Sequence, residues 1–142
     1  AVGDYYEAVL AYRPFSAWTA ACSEALTKDG QCPLARALAA DSAFCQGNGA
    51  VAKELLQKLK EESQVAGEKW SWREHRYCEA WDRWVIQGDP AGCYEVLLEV
   101  VRKHPEDFFA VKRGHIMGLI LGDGAKILDI VEVAASAEVA KS

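Results

Sequence analysis

Residues 71–105 read SWREHRYCEAWDRWVIQGDPAGCYEVLLEVVRKHP, and this stretch decides the fold. Ser71-Trp72-Arg73-Glu74 is a capping box: the serine hydroxyl can accept from a first-turn N–H while the Glu74 carboxylate reaches back to the serine N–H. The spacing predicts a helix from there to about Ile86, stopped by Gln87-Gly88. Asp89-Pro90 restarts a helix in the favoured order, an N-cap followed by proline at the first helical position. Within it Cys93, Val96, Leu97, Val100 and Val101 fall at i, i+3, i+4, i+7 and i+8, a core-facing stripe. His104-Pro105 closes it. From Glu74 to Pro105 is 32 residues, near the period of about 34 at which tetratricopeptide hairpins recur.

The same grammar extends in both directions. Upstream, a helix over Asp4–Tyr12 ends before Arg13-Pro14, where proline disfavours a helical residue ahead of it. Ser16 is placed to cap Ala17–Leu26, and Pro33 opens a small-residue helix running through Leu34–Cys45 to Gly47-Asn48-Gly49. Ala50–Glu62 is amphipathic, with Val51, Leu55, Leu56 and Leu59 on the dry side and a solvated face of lysines and glutamates. Downstream, Glu106-Asp107 put negative charge where the next helix dipole favours it, before Phe108–Leu121. Gly122-Asp123-Gly124 is a turn, and Ala125–Ala140 is the last helix. No segment alternates as a strand would. The expectation is an all-α chain of roughly seven short helices in one domain, residues 1–142. Its antiparallel helical hairpins, about 4–46, 50–87 and 90–121, stack with a last helix at 125–140 as a short tetratricopeptide-like α-solenoid. Each such hairpin leaves an apolar face that only a neighbour can cover.

Composition narrows the function classes. The chain has 142 residues, 16 basic against 21 acidic, and a net charge of −5. With 51% hydrophobic and 26% charged residues it reads as globular, not disordered. An acidic balance argues against nucleic acid, since neutralising phosphates needs a basic face. No apolar run approaches the roughly 18 residues of a membrane span; Asp129 and Glu132 break the best stretch. The five cysteines, Cys22, Cys32, Cys45, Cys78 and Cys93, form no C-x-x-C and stand at no zinc-finger spacing, so neither metal nor cofactor is expected. They read as small core residues, with a Cys22–Cys32 bridge as the sharper alternative. The chain opens on Ala1 rather than Met, which fits removal of a transit peptide or truncation; the expectation is an intracellular and organellar place, chloroplast or mitochondrion.

Several of these features together resemble the tetratricopeptide repeat protein 38 family. Over residues 72–133 they are Arg73-Glu74, Gly88, His104-Pro105-x-Asp107, Ala110-x-Lys112, His115 and Leu121-Gly122. Tyr6-Glu7-Ala8 and the helix leading to Gly47-Asn48-Gly49 extend the likeness upstream more loosely. The loop at Gln87–Pro90 is a residue longer than the family's, and Trp81 falls where its pattern wants a small residue. The resemblance implies helical repeats. The family has no established reaction, so no catalytic residue carries over.

Four tryptophans lie within fifteen residues: Trp70, Trp72, Trp81 and Trp84. Tyr77, Trp81 and Trp84 share a helical face and read as a wall between hairpins, which leaves Trp70 and Trp72 as the rings to meet a partner. Aromatic and arginine anchors dominate interface energetics, so Trp70, Trp72, Arg73 and Arg76 are the candidate partner-binding residues. Gly114 and Gly118 permit close helix packing, expected against the preceding hairpin. His104 reads as a helix-end cation. A Cys78–His115 nucleophile pair has no motif behind it. The function expected is therefore non-enzymatic protein–protein interaction, as a small scaffold or linker subunit of a large, organelle membrane-associated complex. A free adaptor recruiting a client is the alternative, and a thiol-dependent redox protein using Cys78 or Cys93 a more distant one.

Overall fold

The structure, a computed structural model, describes residues 15–141, and their side chains except at 15–19, 21, 22 and 138. The helix expected at Asp4–Tyr12 lies outside these residues, as does Tyr6-Glu7-Ala8. Seven α-helices follow one another in the described chain: α1 (Phe15–Lys28), α2 (Pro33–Cys45), α3 (Gly49–Ala66), α4 (Trp72–Trp81), α5 (Pro90–Lys103), α6 (Phe108–Leu121) and α7 (Gly124–Lys141). A single tight turn, Gly67–Lys69, follows α3, and a widened π-type turn, Asp82–Ile86, extends α4. No strand occurs among the described residues, and none of their helices is long and apolar enough to cross a membrane. Successive helices pack on each other, and α2 also meets α4 as α5 meets α7. The architecture is all-helical.

Local signals set the boundaries. Both halves of the capping box form: Ser71 Oγ accepts from the Glu74 N–H, and Glu74 accepts from the Ser71 N–H. Asp89 accepts from the Gly92 N–H at 2.8 Å, with Pro90 at the first position of α5. Pro33 opens α2 in the same way. Gly122 closes α6 at φ 65°, in the left-handed region where glycine carries no Cβ penalty. Helix α1 begins at Phe15, so Ser16 stands inside the first turn instead of capping it.

The core runs from α2 and α3 through α4, α5 and α6 to Ile130 of α7, with its largest rings between α4 and α6. Tyr77, Trp81 and Phe109 are buried in one cluster, with ring centroids 5.5–6.0 Å apart. Rings of this kind bury about 150–250 Å2 each, worth about 4–6 kcal/mol per ring at ~25 cal/mol per Å2. The stripe of α5 is buried as expected, from Cys93 to Val101. Two polar ties cross the core. The Tyr77 hydroxyl donates to Asp107 at 2.8 Å, and the same Asp107 oxygen caps α6 by accepting from the Ala110 N–H at 3.1 Å. Buried Arg113 on α6 pairs with buried Asp41 on α2, 72 residues away.

Three expectations are corrected. Trp84 leaves the aromatic wall and packs edge-on against Phe44 of α2 at 5.5 Å. The π turn after Trp81 adds residues per turn and so rotates Trp84 off the α4 face. On α3 the buried face is Ala52, Leu56 and Leu59, while Val51 is exposed. Gly114 and Gly118 admit the following helix, not the preceding hairpin: a Cβ on Gly114 would stand 2.0 Å from Ile130 Cδ1, and one on Gly118 3.1 Å from the Ile127 backbone nitrogen.

Candidate protein-interaction surface

The four residues expected to bind a partner are half-buried, and each is engaged within the chain. The capping box starts α4 at Trp72, so Trp72 and Arg76 rise from one face, a turn apart. On that face the Lys103 ammonium from α5 sits 4.2 Å from the Trp72 ring centroid, and the Arg76 guanidinium 5.7 Å from it. Arg76 also pairs with Glu79 and, at 3.4 Å, with Glu99. Arg73 points toward Asp107 at 3.5 Å. Trp70 stands apart from this ridge, its ring 5.5 Å from that of His75. The structure thus brings Trp72, Arg73 and Arg76 together as a cation–aromatic ridge along α4 and α5, and leaves Trp70 in the α3–α4 connection.

A second surface was not anticipated residue by residue. Among the described residues eight large apolar side chains are exposed, and six of them lie on α6 and α7: Phe108, Leu119, Ile120, Leu128, Val131 and Val139. Phe108 and Val131 share a shallow apolar cleft of about 200 Å3 with Pro105, Val111, Ala134 and Ala135. Single exposed apolar residues are ordinary on a protein surface; here they concentrate on two adjacent helices. The sequence carried a signal for it. Ile116–Leu121 and Ile127–Val133 hold more apolar residues than one helical face can hide.

The groups that could carry other chemistry are mostly buried. Burial pushes the Cys78 thiol up to about 11 and the Cys93 thiol up to about 12. The charged neighbours acting on Cys78 are Asp82, Lys60, Glu79 and Arg36. Cys32 is a free thiol, and so are Cys45, Cys78 and Cys93; the side chain of Cys22 lies outside the described set. Burial lifts the Asp41 carboxyl above its ordinary value, and the Arg113 guanidinium opposes that lift. Asp107 is raised by the same burial, against the Ala110 N–H and the Tyr77 hydroxyl. His104 ends α5, with Nδ1 3.2 Å from Glu106. No group of His, Cys, Asp and Glu among the described residues is arranged to hold a metal ion.

No family model, curated protein or solved structure matches this chain.

Proposed function

We propose that this chain is a protein-interaction module, a short stack of helical hairpins of the tetratricopeptide kind, serving as a small scaffold or linker subunit of a larger assembly. The carrying observation is the apolar surplus of α6 and α7. Helical hairpins leave apolar faces that a neighbour covers, and Phe108, Leu128 and Val131 on these two helices face solvent. The ridge of Trp72, Arg73 and Arg76 is the second contact, with Trp70 beside it. Aromatic and arginine side chains are the residue types that anchor interfaces. The resemblance in the H-P-x-D and A-x-K series adds support for the repeat reading. The proposal sets the module inside the cell at an organelle membrane complex, as a peripheral component that works without catalysis or cofactor. High thiol pKa values at Cys78 and Cys93 weigh against a thiolate mechanism.

The test is the native mass of the chain in a gently detergent-solubilised extract of its source, followed by its own peptides. Migration within a large complex, lost on Leu128→Glu with Val131→Glu, is the expected result. Migration of the unaltered chain near its 15.6 kDa would sink the subunit reading and leave a free adaptor.

A further inference from the structure

Ser63 lies in the last turns of α3 and His75 in the first turn of α4, and the tight turn at Gly67–Lys69 folds the two helices so that these side chains meet. Ser63 Oγ stands 2.8 Å from His75 Nδ1, and His75 Nε2 stands 2.8 Å from the Gly67 carbonyl oxygen. A carbonyl oxygen only accepts, so Nε2 carries the hydrogen. In the neutral ring Nδ1 is then a lone pair, and the Ser63 hydroxyl must donate to it. This is the arrangement by which a hydroxyl is activated: nucleophile, base, and a third group that fixes the base's tautomer and orientation. The Trp70 ring lies beside the imidazole, with centroids 5.5 Å apart. The pair opens onto a cleft of about 280 Å3, also lined by Lys60, Gln64, Cys78, Glu79 and Asp82. Lys60 Nζ is held by both Asp82 oxygens, at 3.1 and 3.2 Å.

We propose that Ser63 is an acyl-acceptor site, which takes a small acyl group from an activated acyl thioester with His75 as its base. This goes beyond the interaction reading and stands independently of it. Ser63 Oγ attacks the thioester carbonyl carbon, and its proton passes to His75 Nδ1. The C–S bond then breaks, and the departing thiolate takes that proton. The products are O-acyl-Ser63 and a free thiol, with the imidazole neutral again. Of the residues lining the cleft, Lys60 and Gln64 carry the side-chain N–H groups from which a donor to the developing oxyanion would have to come. One is already paired with a carboxylate, so the acyl donor must bring a good leaving group, which favours thioesters over amides. The cleft, about 280 Å3, has room for a small acyl group.

The experiment incubates the full chain with S-acetyl-N-acetylcysteamine, strips cysteine adducts with neutral hydroxylamine, and maps the remaining acetyl groups by peptide mass. One acetyl ester at Ser63 of the folded chain, absent in urea, is expected. His75→Gln should slow its formation on the order of 100-fold or more, the usual contribution of a positioned base, and Gln64→Ala should slow it less. Acetylation confined to lysines, or a Ser63 rate unchanged by His75→Gln in a variant whose circular dichroism matches the parent, overturns the proposal. Should that variant lose its fold, the unaltered chain decides alone: an unlabelled Ser63 overturns it.

Discussion

Helices α5 and α7 pack against each other and both are rich in apolar residues, yet they end in different surroundings. In α5 seven residues are buried, Cys93, Tyr94, Val96, Leu97, Leu98, Val100 and Val101, because α4, α6 and α7 all pack on it. Among the described side chains of α7 only Ile130 and Ala134 are buried, while Leu128 is 61% exposed. Among the described residues, the helices that pack chiefly on α7 are α5 and α6. The contrast teaches that a helix's apolar content states how much cover it needs, and its neighbours state how much it receives. The shortfall on α7 is the surface on which the proposed interaction rests.

The largest break would come from the buried ion pair that ties α2 to α6. Asp41→Ala leaves buried Arg113 without its carboxylate, and removing one partner of a buried ion pair costs about 3–5 kcal/mol. Urea unfolding of the variant should show that loss, and Asp41→Leu combined with Arg113→Met should recover most of it. A recovery that fails would mean the pair holds α2 against α6 by more than charge cancellation. Next in size, Leu97→Ala should cost about 2–5 kcal/mol as a core truncation, while Leu128→Ala should stay within about 0.5 kcal/mol as a surface change. Equal losses at the two positions would erase the distinction between the helices.

How much of this was legible in the sequence differs between the same two helices. The ends of α4 and α5 were readable because caps and prolines act locally: Ser71, Glu74, Asp89 and Pro90 do in the structure what their spacing says. The α5 stripe was readable because Cys93, Val96, Leu97, Val100 and Val101 recur at helical spacing, although Tyr94 and Leu98, also buried, widen it. Trp84 was not, since a π turn after Trp81 breaks the 3.6-residue phase that places it on the wall. Gly114 and Gly118 announce close approach, but a glycine cannot say which helix approaches, and it is α7. Trp72, Arg73 and Arg76 could be picked by residue type. Their intramolecular partners Lys103, Asp107 and Glu99 lie 31, 34 and 23 residues further on, and only the fold brings them near. The Ser63–His75 pair joins two helices across a turn, where no periodic pattern reports it.

Gly114 offers a finer measure of how α7 is held. A Cβ there stands 2.0 Å from Ile130 Cδ1 and 3.4 Å from Ile130 Cγ1. Gly114→Ala should therefore cost about 1–3 kcal/mol as overpacking, against a helix-propensity gain of about 1 kcal/mol. Ile130→Val deletes the Cδ1 atom that collides. The double variant should be more stable than the sum of the singles, with a coupling of about 0.5–3 kcal/mol in a thermal-unfolding cycle. Additivity would mean that α7 shifts bodily to relieve the contact, and that it is held less firmly than α5.

The smallest effect sets the buried centre against the rim in two adjacent carboxyls. Burial raises Asp107 above its ordinary 3.8, despite the Ala110 N–H, the Tyr77 hydroxyl and Arg73. Its own backbone N–H lowers exposed Glu106 below the ordinary 4.5, with His104 and, from the end of α7, Lys141 assisting. The two act on stability with opposite signs. Asp107 contributes stability that is full below 3.8 and is lost as pH rises through its raised folded value. Glu106 contributes stability that is present above 4.5 and is lost as pH falls through its lowered folded value. Carboxyl carbon-13 titration should find Asp107 shifted up and Glu106 shifted down. In acid unfolding Glu106→Gln should flatten the loss of stability as pH falls below about 4.5. Ending the chain before Lys141 should leave Asp107 unmoved and bring Glu106 slightly closer to its ordinary value. A Glu106 titration indifferent to that truncation would show that α7's last turn stands too far from the α5–α6 loop to act on it, weakening the case that α7 is fixed along its whole length.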